Sequence, residues 1–183
     1  MEEFGKVSSA VAFPIFECLV GPIKAVQRFG SEEMKQRLLP DITAGEFVVA
    51  VAMSEPDAGS AATDMITAAS PDPAVEGGMI LNGQKRWCSG AGHSDMVVFC
   101  KMDPEAKGAR GLGAVYVKKD APGVSFGPAE TLMGFRGVPS ADIYFEDVKI
   151  DPQDVLLPAG NFNKMMQAFC LERLGNATLA LAK

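Results

Sequence analysis

A chain of 183 residues, 48% hydrophobic and 22% charged, has the composition of a globular protein with a packed core, as one domain or two small ones. A net charge of −6 with no Lys/Arg cluster lacks the electrostatic footprint of a nucleic-acid binder. No apolar run approaches the roughly 20 residues of a bilayer span, and the acidic start Met1-Glu2-Glu3-Phe4 is unlike a signal or transit peptide.

Cys18, Cys88, Cys100 and Cys170 are dispersed, with no C-x-x-C pair, and read as reduced thiols in a cytoplasmic-type protein. His93 is the single histidine, so no metal site is expected. Its neighbours Ser94 and Asp95 do not make a triad, because triad members meet in space rather than in consecutive sequence.

In chain order, Ser8 to Phe29 has apolar residues at helical spacing, with Gly30 as a stop. Pro14 and Pro22 interrupt it, which predicts two short helices or one kinked helix. Ser31-Glu32-Glu33-Met34 opens the next helix, with Ser31 as N-cap and carboxylates in the first turn. That helix is expected to end near Leu39-Pro40. From Phe47 to about Ile150 the period changes. The expected strands are Phe47–Met53, Met79–Leu81, Lys85–Ser89, Met96–Lys101, Gly113–Lys118 and Ala141–Ile150, with Asn82-Gly83 as a hairpin turn between the second and third. Short strands without intervening helices predict an α+β protein whose middle domain is an antiparallel β-barrel or sandwich flanked by helical segments. Ser70-Pro71-Asp72-Pro73 and Gly108 to Gly113 read as exposed loops. After Pro158-Ala159-Gly160 the helical period returns, with Phe162, Met165, Met166, Phe169, Arg173, Asn176, Ala177 and Ala180 near one face and Glu172 at its edge. The helix reads as unfinished at Lys183.

Two stretches carry chemistry. An apolar strand breaks into Val51-Ala52-Met53-Ser54-Glu55-Pro56-Asp57-Ala58-Gly59-Ser60, where hydroxyls, carboxylates and free amides are suited to a polar ligand. Turns prefer the same residues, so an ordinary strand-to-loop junction is the alternative. The second stretch is Asn82-Gly83-Gln84-Lys85-Arg86-Trp87-Cys88-Ser89-Gly90-Ala91. In this order and separation the pair resembles the acyl-CoA dehydrogenase family, FAD enzymes that introduce an α,β double bond into acyl-CoA thioesters. Phe29 to Lys35, Leu38-Leu39-Pro40, and the closing Phe145-Glu146-Asp147-Val148-Lys149-Ile150 extend the likeness over nearly the whole chain. The resemblance divides it into 1–46, the end of an N-terminal helical domain; 47–152, a middle β domain; and 153–183, the first helix of a C-terminal helical domain. It makes the chain the central portion of a longer enzyme.

The resemblance also implies roles. Val51, Met53, Ser54, Gly59, Ser60, Trp87, Cys88 and Ser89 would contact FAD, with Trp87 as an aromatic plate and the Ser54 and Ser89 hydroxyls donating to the flavin edge. Ser60 would also touch the CoA moiety. In Leu171-Glu172-Arg173, Glu172 matches the catalytic base of the branch that includes isovaleryl-CoA dehydrogenase, with Cys170, Leu171 and Arg173 beside the substrate. A structural Glu–Arg pair is the alternative. A carboxylate edged by Met and Phe would hold a proton more tightly through desolvation. Ala61 stands where the family usually has Asp, and Val138 where some members place a substrate-contacting Ser. The implied partners are an acyl-CoA substrate, an electron-transfer flavoprotein as electron acceptor, and a homo-oligomer (the family tetramer) or further segment completing the fold. The expected compartment is the cytoplasm, with the mitochondrial matrix as the alternative. The rival functions are an acyl-CoA oxidase-like flavoprotein and a non-catalytic or incomplete fragment or subunit.

Overall fold

The computed structural model describes residues 2–182. Four helices come first: α1 (Glu2–Val7), α2 (Ser9–Leu19), α3 (Pro22–Phe29) and α4 (Glu32–Ala44). Eight strands follow: β1 (Val49–Ala52), β2 (Ala68–Pro71), β3 (Met79–Ser89), β4 (Asp95–Lys101), β5 (Leu112–Val117), β6 (Val124–Phe126), β7 (Ser140–Ile150) and β8 (Val155–Leu157). A long helix, α5 (Phe162–Leu181), ends the described chain.

The interrupted helix resolves as two. Ser8 caps α2 through its hydroxyl, which accepts from the Val11 amide, and Pro14 is accommodated inside the helix. The break falls at Val20-Gly21, with Gly21 as N-cap of α3 and Pro22 at its first position, where a missing N–H costs nothing. Taken together, Ser9–Phe29 reaches the length and hydropathy of a membrane span, an amendment to the sequence reading, but it is two packed helices rather than one. Ser31 caps α4 as expected, accepting from the Met34 amide. That helix runs past Pro40 to Ala44 and stops at Gly45, whose left-handed φ of 82° closes it. The Thr43 hydroxyl, which donates toward the Leu39 and Pro40 carbonyls, supports the turn the proline weakens.

The strands form one open sheet in the order β6-β7-β3-β2-β4-β5-β8, with β1 paired to β4 off this path. It is a sandwich-like α+β arrangement without barrel closure. Nor is it purely antiparallel, because β1 and β2 both run parallel to β4. The expected Asn82-Gly83 hairpin does not exist. Met79 to Ser89 is a single strand, β3, antiparallel to β7 along its length. Gly83 is needed for a different reason: its φ is 144°, and a Cβ there would lie 2.6 Å from the Thr67 hydroxyl oxygen. Asn82 bonds across the ladder, its side-chain amide donating to the Asp147 carboxylate and its carbonyl accepting the Asp147 amide. Asp147, at φ 50°, marks a bulge on β7 opposite them. The dipeptide that suggested a turn marks an irregular register instead. The two expected loops are also partly structured: Ser70-Pro71 ends β2, Asp72 is buried, and Leu112-Gly113 opens the buried strand β5.

Strand alternation divides the core in two. Val97 and Phe99 of β4, with Leu112, Ala114 and Tyr116 of β5, face a helical layer formed by Ile23 and Val26, Met34, Leu38 and Ile42, and Met165 and Ala168. Met96, Val98, Cys100, Val115 and Val117 face the opposite way, onto Leu81, Ile143, Phe145 and Val148 of the folded-over sheet. Burial on both faces explains why β4 reads as an unbroken apolar run. The predicted face of α5 holds in its first half, where Met165 is buried and Phe162, Met166 and Phe169 pack against the same core, but not in its second, where Arg173, Asn176, Ala177 and Ala180 are exposed and Leu179 is buried. The reason is Gly175, which lets the Phe16 ring of α2 lie flush on the α5 backbone and turns that side inward.

Gly175→Ala tests this crossing. Alanine would ordinarily favour a helix interior by about 1 kcal/mol, but its Cβ would lie 1.9 Å from the buried Phe16 ring. We expect a net loss of about 1–3 kcal/mol in urea unfolding; a gain would show that α2 and α5 do not touch there.

Candidate active site

The loop after β1 and the strand β3 are tied by a buried ion pair. Lys85, 0% exposed, donates from Nζ to the Glu55 carboxylate at 2.8 Å and to the Met53 carbonyl at 3.0 Å. Glu55 also accepts the backbone amides of Ile66 at 2.7 Å and Thr67 at 2.9 Å. Burial alone would raise the Glu55 carboxyl, but hydrogen bonds from the Ile66 amide, the Lys85 ammonium and Thr67 together hold it below its ordinary value. Burial pulls Lys85 down, opposed by Glu55. A third tie runs beside these, from the Arg86 amide to the Ser54 carbonyl at 2.8 Å.

Just beyond Lys85 the ladder shifts. Lys85 pairs with Ile143 and Cys88 with Ala141, so β3 carries one extra residue, and Trp87 sits at φ 58°. The bulge leaves the Trp87 indole 55% exposed, with the Arg86 guanidinium over its ring at 5.0 Å. Around it is a cavity of about 170 Å³ with walls from four places: Val51, Met53 and Ser54; Arg86, Trp87, Cys88 and Ser89; Phe13 and Glu17 of α2; and Phe169 and Glu172 of α5. A larger cavity of about 630 Å³ adjoins it, sharing Phe13, Glu17 and Ser89, and extends past Val48, His93, Glu130, Arg136 and Val138.

The two acidic side chains of the small cavity are both hard to ionise. Burial pushes Glu172 up to about 7, against the pull of the neighbouring Arg173. Glu17, 5% exposed, lies well above the ordinary carboxylate range, first through burial and then through the Glu172 charge. A carboxylate that titrates near neutrality beside an aromatic plate and two hydroxyls can take up or give a proton.

Val51, Met53, Ser54, Trp87, Cys88, Ser89 and Glu172 thus meet at one cavity. The Cys88 side chain is packed in the sheet core, and burial pushes its thiol up to about 12, so it is inert there. Gly59 and Ser60 are exposed on the turn after β1 and do not line the cavity. Cys170 and Arg173 are also exposed, and Leu171 does not line it either, because consecutive helical residues point in different directions and only Phe169 and Glu172 turn inward. The sequence reading missed Phe13, Glu17, Arg86 and Phe169 as lining residues. One signal was available for Glu17: it is the sole charge between Lys6 and Lys24, within an otherwise apolar helical stretch.

Lys85→Met would leave Glu55 buried without its cation, and we expect a loss of about 3–5 kcal/mol of unfolding free energy. Adding Glu55→Gln should recover part of it. Because the folded Glu55 carboxyl lies below its unfolded value, its contribution is full above the unfolded pKa and disappears as pH falls through the folded one. Urea midpoints of wild type and Lys85→Met should therefore converge as pH falls through that range.

The chain matches two family models, the acyl-CoA dehydrogenase N-terminal domain over residues 1–46 and the middle domain over residues 50–148. It is 34% identical to an acryloyl-CoA reductase (NADH) of Anaerotignum propionicum over 99% of this chain and 46% of that protein. It is 35% identical to a mitochondrial isovaleryl-CoA dehydrogenase of Solanum tuberosum over 95% and 42%. The crystal structure of an acyl-CoA dehydrogenase from Geobacillus kaustophilus superposes with a TM-score of 0.92 at 33% identity, covering 99% of this chain and 47% of that one. The chain therefore spans less than half the length of these relatives, and the middle-domain match alone covers more than half of its residues. By that match, and by relatives at this identity along almost all of its length, the chain belongs to the acyl-CoA dehydrogenase family.

Proposed function

We propose that this chain is the central part of an FAD-dependent acyl-CoA dehydrogenase in which Glu172 removes the α proton of the substrate. Residues 1–46 would end the N-terminal helical domain, 47–152 form the middle β domain and 153–183 begin the C-terminal helical domain. The observation that carries the reading is the small cavity, where a carboxyl raised to about 7 shares the walls with an exposed indole and two serine hydroxyls.

The residues present fit a flavin. Trp87 offers a half-exposed aromatic ring, while Ser54 and Ser89 offer hydroxyl donors on the same cavity. FAD, when bound there, supplies the acceptor for the β hydrogen, taken as hydride. Phe13, Met53 and Phe169 make the surroundings apolar, which keeps Glu172 short of solvation. Its carboxylate takes the α proton on an oxygen, and its raised proton affinity lets it keep that proton while the double bond forms. Arg173, exposed beside it, moderates the shift without entering the cavity. The 630 Å³ cavity has the size for the pantetheine arm and mainly apolar walls, with Arg136 and His93 among the polar groups on them. Ser60, outside it, would meet the outer part of CoA. An electron-transfer flavoprotein would receive the electrons, and the exposed side of Trp87 would be covered by the rest of the enzyme or a second subunit.

The same site can run in reverse. A relative named as a reductase, matched along almost the whole chain, supports reduction of an α,β-unsaturated acyl-CoA, with Glu172 returning the proton.

The test is an anaerobic titration of the FAD-loaded chain with an acyl-CoA panel, followed by absorbance. Bleaching by one thioester is expected, and Glu172→Gln should slow it by a factor on the order of 10²–10⁴, the usual contribution of a general base. Bleaching unchanged in Glu172→Gln would remove Glu172 from the mechanism. Since only the ionised carboxylate accepts a proton, the wild-type rate should rise with pH through about 7 and fall on the acid side.

A further inference from the structure

Glu17 has no part in the chemistry above, yet it lines both cavities. It stands on α2, facing the space that Glu172 enters from α5. Gly21, one turn on, makes room for its carboxyl: a Cβ at that position would come within 3.2 Å of Glu17 Oε1. Among the described residues no cation and no hydrogen-bond donor meets it; its surroundings act through burial and through the Glu172 charge. Glu17 is 5% exposed, and its oxygens open onto the cavities, where a bound ligand would have to replace water as their partner.

We propose that Glu17 selects the acyl group: the site takes short acyl-CoA thioesters that carry a hydroxyl on the acyl chain and discriminates against the plain alkyl analogue. This rests on the acyl-CoA reading of the cavity. The Glu17 carboxyl offers one O–H donor and a carbonyl acceptor, and a hydroxyl is both acceptor and donor, so one substrate group satisfies both. A cavity of about 170 Å³ brings a small group lying against Glu172 near Glu17 as well. Burial first, and then the Glu172 charge, favour the neutral, donating form of Glu17. An alkyl chain would leave the carboxyl buried and unpaired. A site built to bond a hydroxyl rejects the analogue that lacks it more strongly than an apolar pocket rejects an added one.

Two measurements test this on the full chain. The first is equilibrium binding of butyryl-CoA, 3-hydroxybutyryl-CoA and 4-hydroxybutyryl-CoA by calorimetry. In the wild type one hydroxyacyl thioester should bind at least about tenfold tighter than butyryl-CoA, the worth of one good hydrogen bond to a buried group. Glu17→Leu should abolish that preference, and Glu17→Gln, which keeps a donor and an acceptor, should retain part of it. Equal binding of all three, or a preference unchanged by Glu17→Leu, overturns the selection while leaving the acyl-CoA reading intact. Binding of none of the three overturns the acyl-CoA reading, and the selection with it. The second measurement is the urea midpoint of Glu17→Leu near pH 7. A carboxyl that faces the cavity rather than a protein partner contributes no bond to the fold, so leucine should hold or raise the midpoint; a fall would assign Glu17 a structural role and overturn the proposal.

Discussion

The Glu55–Lys85 pair is the constraint on which the site depends. Lys85 Nζ collects a carboxylate, the Met53 carbonyl and the Met65 sulfur from the segment after β1, and Glu55 collects two amides from the approach to β2. Burying two charges is expensive, and an apolar pair of similar volume would cost less. An apolar pair would not fix position, however. Each atom of this one has a particular partner, so the turn at Ser54-Glu55-Pro56 can lie against β3 in one register only. That register sets Ser54 near Trp87 and opens the cavity between them. The two sequence stretches are thus joined physically in this chain: the glutamate of one and the lysine of the other are a single structural unit.

Much of this was legible in the sequence, and the failures share a cause. Apolar periodicity located α2 to α4, β4, β5, β7 and α5, because each has one face or two against a core. What it could not show was the consequence of contacts distant in sequence. Asn82-Gly83 has the local chemistry of a turn, but Thr67 and Asp147 claim those residues for a straight strand with a bulge opposite. Pro40 has the local chemistry of a helix end, but α4 continues to the glycine that closes it. The short strands β2, β6 and β8 carry too few residues for a period, and β2 even ends on a proline. At the site, the motif residues on β1 and β3 were found because their spacing is distinctive. Phe13 and Phe169 were not, since an apolar helix residue that lines a cavity looks the same as one that lines a core, and Glu17 was marked only by being a lone charge in an apolar helix.

Glycine and aromatic side chains do complementary work around the cavity. Phe16 occupies the space that Gly175 leaves, which brings α2 against α5. That contact carries Phe13 and Glu17 to one wall and Phe169 and Glu172 to another. Phe99 stacks edge-on with Phe169 at 5.8 Å and with Phe162 at 6.2 Å, so β4 steadies the same helix from below. The position of the two acids is therefore set by the packing of rings, since among the described residues no hydrogen bond holds either of them.

The parallel pairing of β1 and β2 with β4 also orders events in time. β1 ends at Ala52 and its partner starts at Asp95, while β3 completes its ladder only against β7, which ends at Ile150. Helices α1 to α4 can form from local contacts as soon as they leave the ribosome. The sheet cannot: its first strand must wait for a stretch of chain longer than forty residues, and the entropy of closing such loops is spent before their contacts form. During synthesis the apolar faces of α3 and α4 stay uncovered until β4 and β5 arrive, which makes that interval the one in which a nascent chain most needs protection from its neighbours.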